Sequence, residues 1–164
     1  MRCAKAAEFA SMDTLVQGGF SGARTCQTVS LRKEPDLETV IRRPDAPNHF
    51  MVLKPINRRV VVRLQNGEML AESTNATRLM ESGKTLYDPV IYLPKGDVTV
   101  ELTPQDGETK CPLKGNASYF TYGEGEARID KLAWSYPQPL DFARDIEGLV
   151  AFYNDKVIVE EHPL

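Results

Sequence analysis

The chain is poor in the residues that usually announce a site. It has three cysteines, Cys3, Cys26 and Cys111, with no CxxC pair, and two histidines, His49 and His162. An odd, scattered cysteine count does not build a disulfide framework. Without paired thiolates or a histidine cluster, a structural zinc site of the usual kind has no ligands, and no metal is expected. No run of Lys or Arg exceeds two residues, and the net charge of the 164 residues is −3. That argues against nucleic acid as a partner. No apolar stretch approaches the roughly 20 residues of a membrane span, so no membrane partner is expected. The N-terminus is broken by Lys5, Glu8, Ser11 and Asp13, which is not the pattern of a secretory signal. Phosphate-cradling spacings, GxxxxGK[ST] and GxGxxG, are missing. Taken with the cysteines, a reducing cytoplasm is the expected compartment.

What the chain does have divides near residue 47. Residues 1–47 lack apolar periodicity, hold the Gly-containing stretch 17–23 and are punctuated by Pro35, Pro44 and Pro47, so they read as a loosely docked extension. Within it, Glu38-Thr39-Val40-Ile41-Arg42-Arg43 reads as a short helical turn. From residue 48 to 160 the pattern is one of strands. Residues 49–53 and 59–64 are apolar or β-branched runs. Asn66-Gly67 then signals a tight hairpin into a return strand at 69–73. Further strands are expected at 79–81, 88–93, 98–102, 116–122, 128–136 and 157–159, with turns at Pro104-Gln105-Asp106-Gly107, Lys114-Gly115 and Gly123-Glu124-Gly125-Glu126. In the 116–122 strand, Ala117, Tyr119 and Thr121 share one face, and Ser118, Phe120 and Tyr122 the other. One helix is expected late. Pro139 and Asp141 suit its start, and Phe142, Ile146, Leu149, Val150 and Tyr153 recur at helical spacing. The expected class is mainly β, with compact antiparallel sheets and one C-terminal helix.

Two segments concentrate the chemistry. Residues 109–120 hold Cys111, Lys114 and Tyr119; residues 133–139 hold Trp134, the only Trp, and Tyr136. Aromatic rings, an amine and a thiol crowded together are what a ligand cleft is made of, and also what a small β core needs. Cys111 is the candidate nucleophile, with Lys110 or Lys114 to lower its pKa; its plain reading is a small packed hydrophobe. Lys114, at a turn tip, is ordinarily a solvated charge; its functional reading is a contact to a carboxylate or phosphate. Tyr119, Trp134 and Tyr136 are candidate ligand-binding residues. His49 and His162 read as solvated.

The same residues carry a resemblance. Thr109, Cys111-Pro112, Lys114-Gly115, Ala117 and Tyr119 are followed by Ala133-Trp134, Tyr136 and Pro139, then by Ala151-Phe152-Tyr153. Asn66-Gly67-Glu68, Ala71-Glu72-Ser73, Tyr92-Leu93-Pro94 and Asp97-Val98 fit as well. This pattern resembles the bacterial Domain of Unknown Function 427 family over residues 48–160. The resemblance implies a mostly antiparallel fold with one helix and a β-tent-like outline, two small sheets meeting at an angle. Proteins of that outline often pin their sheets with zinc through two CxxC pairs, which this chain lacks. The family sometimes carries a nucleotidyltransferase-like label, but the chain has no Gly-Ser followed by paired Asp residues to hold magnesium. The resemblance leaves the activity open and no cofactor is assigned. Two functions follow as expectations: a domain that binds or acts on a small polar or anionic ligand in an aromatic-lined cleft, or a non-enzymatic protein-interaction module that associates with a partner or with itself as a homo-oligomer.

Overall fold

A computed structural model describes residues 39–164. Cys3, Cys26 and the Gly-rich stretch of the extension lie outside the described residues. Eleven strands form two antiparallel sheets. The strands are β1 (Thr39–Arg43), β2 (Ala46–Pro55), β3 (Arg59–Leu64), β4 (Met69–Ser73), β5 (Thr77–Ser82), β6 (Val90–Pro94), β7 (Thr103–Cys111), β8 (Gly115–Tyr122), β9 (Ile129–Ser135), β10 (Leu149–Phe152) and β11 (Val157–His162). The large sheet runs β1-β2-β5-β6-β10-β9-β8-β7, and the small one β11-β3-β4.

The small sheet follows directly from its sequence. Val60 and Val62 of β3 point into the core, as β-branched residues on one pleat face should. The β3–β4 turn is the Asn66-Gly67 hairpin. Gly67 has φ +89°, a conformation that favours glycine, and the Asn66 side chain accepts from the Glu68 N–H at 3.0 Å.

The inner strands of the large sheet are buried on both faces, and side-chain alternation divides their residues between two cores. One core lies between the sheets and takes Leu93, Phe120, Val150 and Phe152 together with Val60, Val62, Leu64, Leu70 and Val157. The other, on the opposite face, takes Met51, Leu53, Leu79, Tyr92, Ala117, Tyr119 and Ala151. Neighbours Tyr92 and Leu93, Tyr119 and Phe120, and Ala151 and Phe152 thus part company at every step.

Several expectations are corrected. The C-terminal helix is not there. Among the described residues the longest helical stretch is a six-residue 3-10 segment, Asp141–Ile146, and Ala143 inside it has non-helical φ/ψ. Gly148 then adopts φ +73°, and the chain enters β10, between β6 and β9. The reason is that Leu149–Phe152 can bury both of its faces in the sheet, which a helix stripe cannot match. Residues 98–102 form no ladder beyond one bridge, Ala71 to Val98, although Val98, Val100 and Leu102 do pack on the core. Pro104-Gln105-Asp106-Gly107 stays inside β7 and is not a turn: Pro104 and Gln105 pair with β8, and Asp106-Gly107 form a bulge with Gly107 at φ +103°. The helical turn expected at Glu38-Thr39-Val40-Ile41-Arg42-Arg43 is strand β1 from Thr39 onward. It pairs with β2, and Ile41 is 6% exposed within the second core.

Candidate functional site

The second core opens onto a cavity of about 200 Å³. Its floor is set by strand register. Tyr119 pairs with Trp134, Trp134 with Ala151, and Ala151 with Tyr92, so these four form one row across β8, β9, β10 and β6. Ala151 is the small member of the row. It leaves room for the Trp134 indole to lean over β10, where Nε1 donates to the Tyr92 hydroxyl at 3.0 Å and the two rings meet edge to face. On the other side the Tyr153 ring lies 4.5 Å from the indole, centroid to centroid. The Tyr119 hydroxyl shares a hydrogen bond with Thr109 Oγ1 at 2.6 Å.

Lys114 reaches the same cavity from the β7–β8 turn. Leu113, fully buried, pulls this turn inward, so Lys114 is only 6% exposed. The solvated turn lysine is therefore corrected: the anchor beside it is apolar, and the turn sits against the protein. Gly115, at φ +106°, permits the approach; a Cβ there would stand 3.2 Å from the Gln138 carbonyl oxygen. The Leu140 N–H donates to the Lys114 carbonyl at 3.1 Å, which ties the turn to the segment following Pro137 and Pro139.

The Lys114 ammonium is paired with Glu81 Oε2 of β5. Glu81 Oε1 in turn meets His49 Nε2 of β2 at 3.0 Å. Both side chains are largely buried, so His49 is not the solvated residue expected. The ammonium also lies 5.7 Å from the Tyr136 ring centroid. A buried ammonium needs such partners, because desolvation without them costs several kcal/mol (order of magnitude).

Burial raises the phenol pKa values of Tyr92 and Tyr136 far above the usual range, and pushes that of Tyr153 up to about 12, with the neighbouring Tyr119 adding to it. All three are neutral hydroxyls at physiological pH. The Tyr136 hydroxyl has no hydrogen-bond partner among the described residues, although the residue is 7% exposed and lines the cavity. The site thus offers phenol donors, an ammonium and a carboxylate around aromatic faces.

Four residues singled out in the sequence, Lys114, Tyr119, Trp134 and Tyr136, line this one cavity. Cys111 does not. It is a free, half-buried thiol on a second, outer hollow of about 710 Å³ that shares Glu81, Tyr87 and Lys114 with the inner cavity. Glu81 and Tyr87 carry no signal in the sequence; Tyr92 enters only through the family pattern, Tyr153 through that pattern and the expected helix, and His49 only as a solvated residue. Among the described residues no group of three or more His, Cys, Asp or Glu side chains is placed to hold a metal ion. No helix among them is long and apolar enough to cross a membrane.

The residues that build this cavity fall within a family match. Residues 52–162 match the family described as Domain of unknown function (DUF427). The chain belongs to that family. Its matched stretch begins in β2 and runs through β11, so it takes in every cavity residue. None of the curated proteins matches the chain.

Proposed function

We propose that this member of the family binds a small polar or anionic ligand in the aromatic cavity. One observation carries the reading. Five of the six tyrosines in the chain, and its single Trp, line the same cavity. The hydroxyls of Tyr92 and Tyr119 are taken up by Trp134 and Thr109, which holds the wall of rings in place. The Tyr136 hydroxyl, without a protein partner among the described residues, is a donor held ready for a ligand acceptor. Lys114 and Glu81 add a charge of each sign, suited to polar groups. Trp134 and Tyr153 keep part of their surface open, whereas a pure interaction module would have sealed its rings. The family resemblance and the free Cys111 thiol favour a bacterial cytoplasmic setting. A β-tent-like meeting of the two sheets goes with the same proposal, supported by the core they share.

Because Trp134 is the only Trp, its fluorescence reports directly on the cavity. Native mass spectrometry should find a co-purified small molecule, and its removal should shift the emission of Trp134. Tyr136→Phe should weaken rebinding by about tenfold, the loss of one buried hydrogen bond. Emission that no small polar molecule alters, in a protein that carries none, would defeat the reading.

A further inference from the structure

The outer hollow differs from the inner one in charge. Arg43, Lys84 and Lys114 line it against a single carboxylate, Glu81, within a chain whose net charge is −3. Four separate segments deliver these groups: the end of β1, strand β2 with His49, the β5–β6 loop, and the β7–β8 turn. Glu81 is already paired with Lys114 and His49, and Arg43 with Asp45, so Lys84 is the cation of the hollow that no carboxylate neutralises among the described residues. Lys84 is exposed and has no ion-pair partner among the described residues. Asp45 holds Arg43 through Nε and Nη2, which offsets its charge but leaves the Nη1 N–H groups to donate elsewhere. Gly83 brings the Lys84 loop close. A Cβ at Gly83 would stand 3.1 Å from the Tyr87 ring and 3.3 Å from the His49 ring. The loop therefore lies directly on His49 and cannot drift away without unpacking it.

We propose that the outer hollow is an oxyanion subsite, which takes the carboxylate or phosphate of the ligand whose body fills the inner cavity. The proposal rests on the function proposed above for the connection between the two, but the subsite itself does not. Lys114 and Glu81 form the shared wall. An anion beside Lys84 and Arg43 Nη1 gains charge-assisted hydrogen bonds, while the phenols of the inner cavity receive neutral acceptors.

The test uses the full chain with Cys3 and Cys26 replaced by Ser, titrated with inorganic phosphate and, separately, acetate, at constant ionic strength kept with chloride. Calorimetry should show saturable binding of one of them, and which one binds tells phosphate from carboxylate. The bound anion should slow alkylation of Cys111 by iodoacetamide, because that thiol lines the same hollow. Lys84→Glu should weaken binding by about tenfold or more, and Lys84→Ala by less, while Arg128→Gln, at a distant exposed pair, should leave it unchanged. Lys84 has no structural partner to lose, so an unchanged thermal midpoint is expected and checks that the variants fold. No saturable binding, binding indifferent to Lys84→Glu, or Cys111 alkylation that the anion does not slow would each overturn the subsite. A co-purified molecule in the inner cavity with no anion binding would sink this proposal and leave the function standing. The reverse result would leave the subsite and remove the function.

Discussion

At the scale of single residues, Lys114 shows how burial changes what a charge does. On the surface its removal would scarcely register, within about 0.5 kcal/mol. Here it is the partner of a largely buried Glu81. Lys114→Met should therefore destabilise the domain by about 2–4 kcal/mol in urea unfolding, because it leaves the largely buried Glu81 carboxylate with His49 alone. The double variant Lys114→Met, Glu81→Leu should recover most of that loss. If the single variant is neutral, the pair contributes nothing to folding. The Lys114-Gly115 turn was legible in the sequence, and so was the crowding of rings around it. The burial of Lys114 was not, since its partner lies 33 positions away on another strand. The burial of His49 is hidden from the sequence for the same reason: its neighbour Glu81 is 32 positions off. A local pattern says what a residue prefers, and a partner from a distant strand decides what it does.

At the scale of elements, period-two alternation was the reliable signal. Strand β4 has the bounds expected from sequence, and β3 with its Asn66-Gly67 hairpin likewise. Sequence pattern and structure part where two periods overlap. Phe142, Ile146, Leu149 and Tyr153 fit a helical stripe, but Leu149–Phe152 also fits a strand buried on both faces, and the open place between β6 and β9 selects the strand. Pro104-Gln105-Asp106-Gly107 has turn composition, and β7 uses it to make a bulge. Gly148 provides a test with opposite signs for the two readings. In a helix, Gly148→Ala would stabilise by up to about 1 kcal/mol. At φ +73° with open space around it, the same change should instead cost about 1–2 kcal/mol, measured by thermal or urea unfolding.

At the scale of the whole molecule, the large sheet is a partition with a core on each side. Composition alone set the extension apart up to residue 47, yet β1 closes one edge of this sheet and Ile41 enters the second core. Ile41→Ala should thus cost about 2–5 kcal/mol, where a loosely docked segment would show almost no change. The order of strands in the sheet has a further consequence, for how the chain assembles. Strand β10 sits at the centre yet follows every other strand of its sheet along the chain. Strands that pair as soon as a chain emerges N-terminus first would make two half-sheets, β1-β2-β5-β6 and β7-β8-β9, each with a bare inner edge until Leu149–Phe152 follows. Bare edges of this kind attract other strands. The keystone therefore arrives last, and until it does each nascent molecule displays two sticky seams to its neighbours. In such an order of assembly the Tyr92–Trp134 contact, which reaches across β10, would be among the last to close.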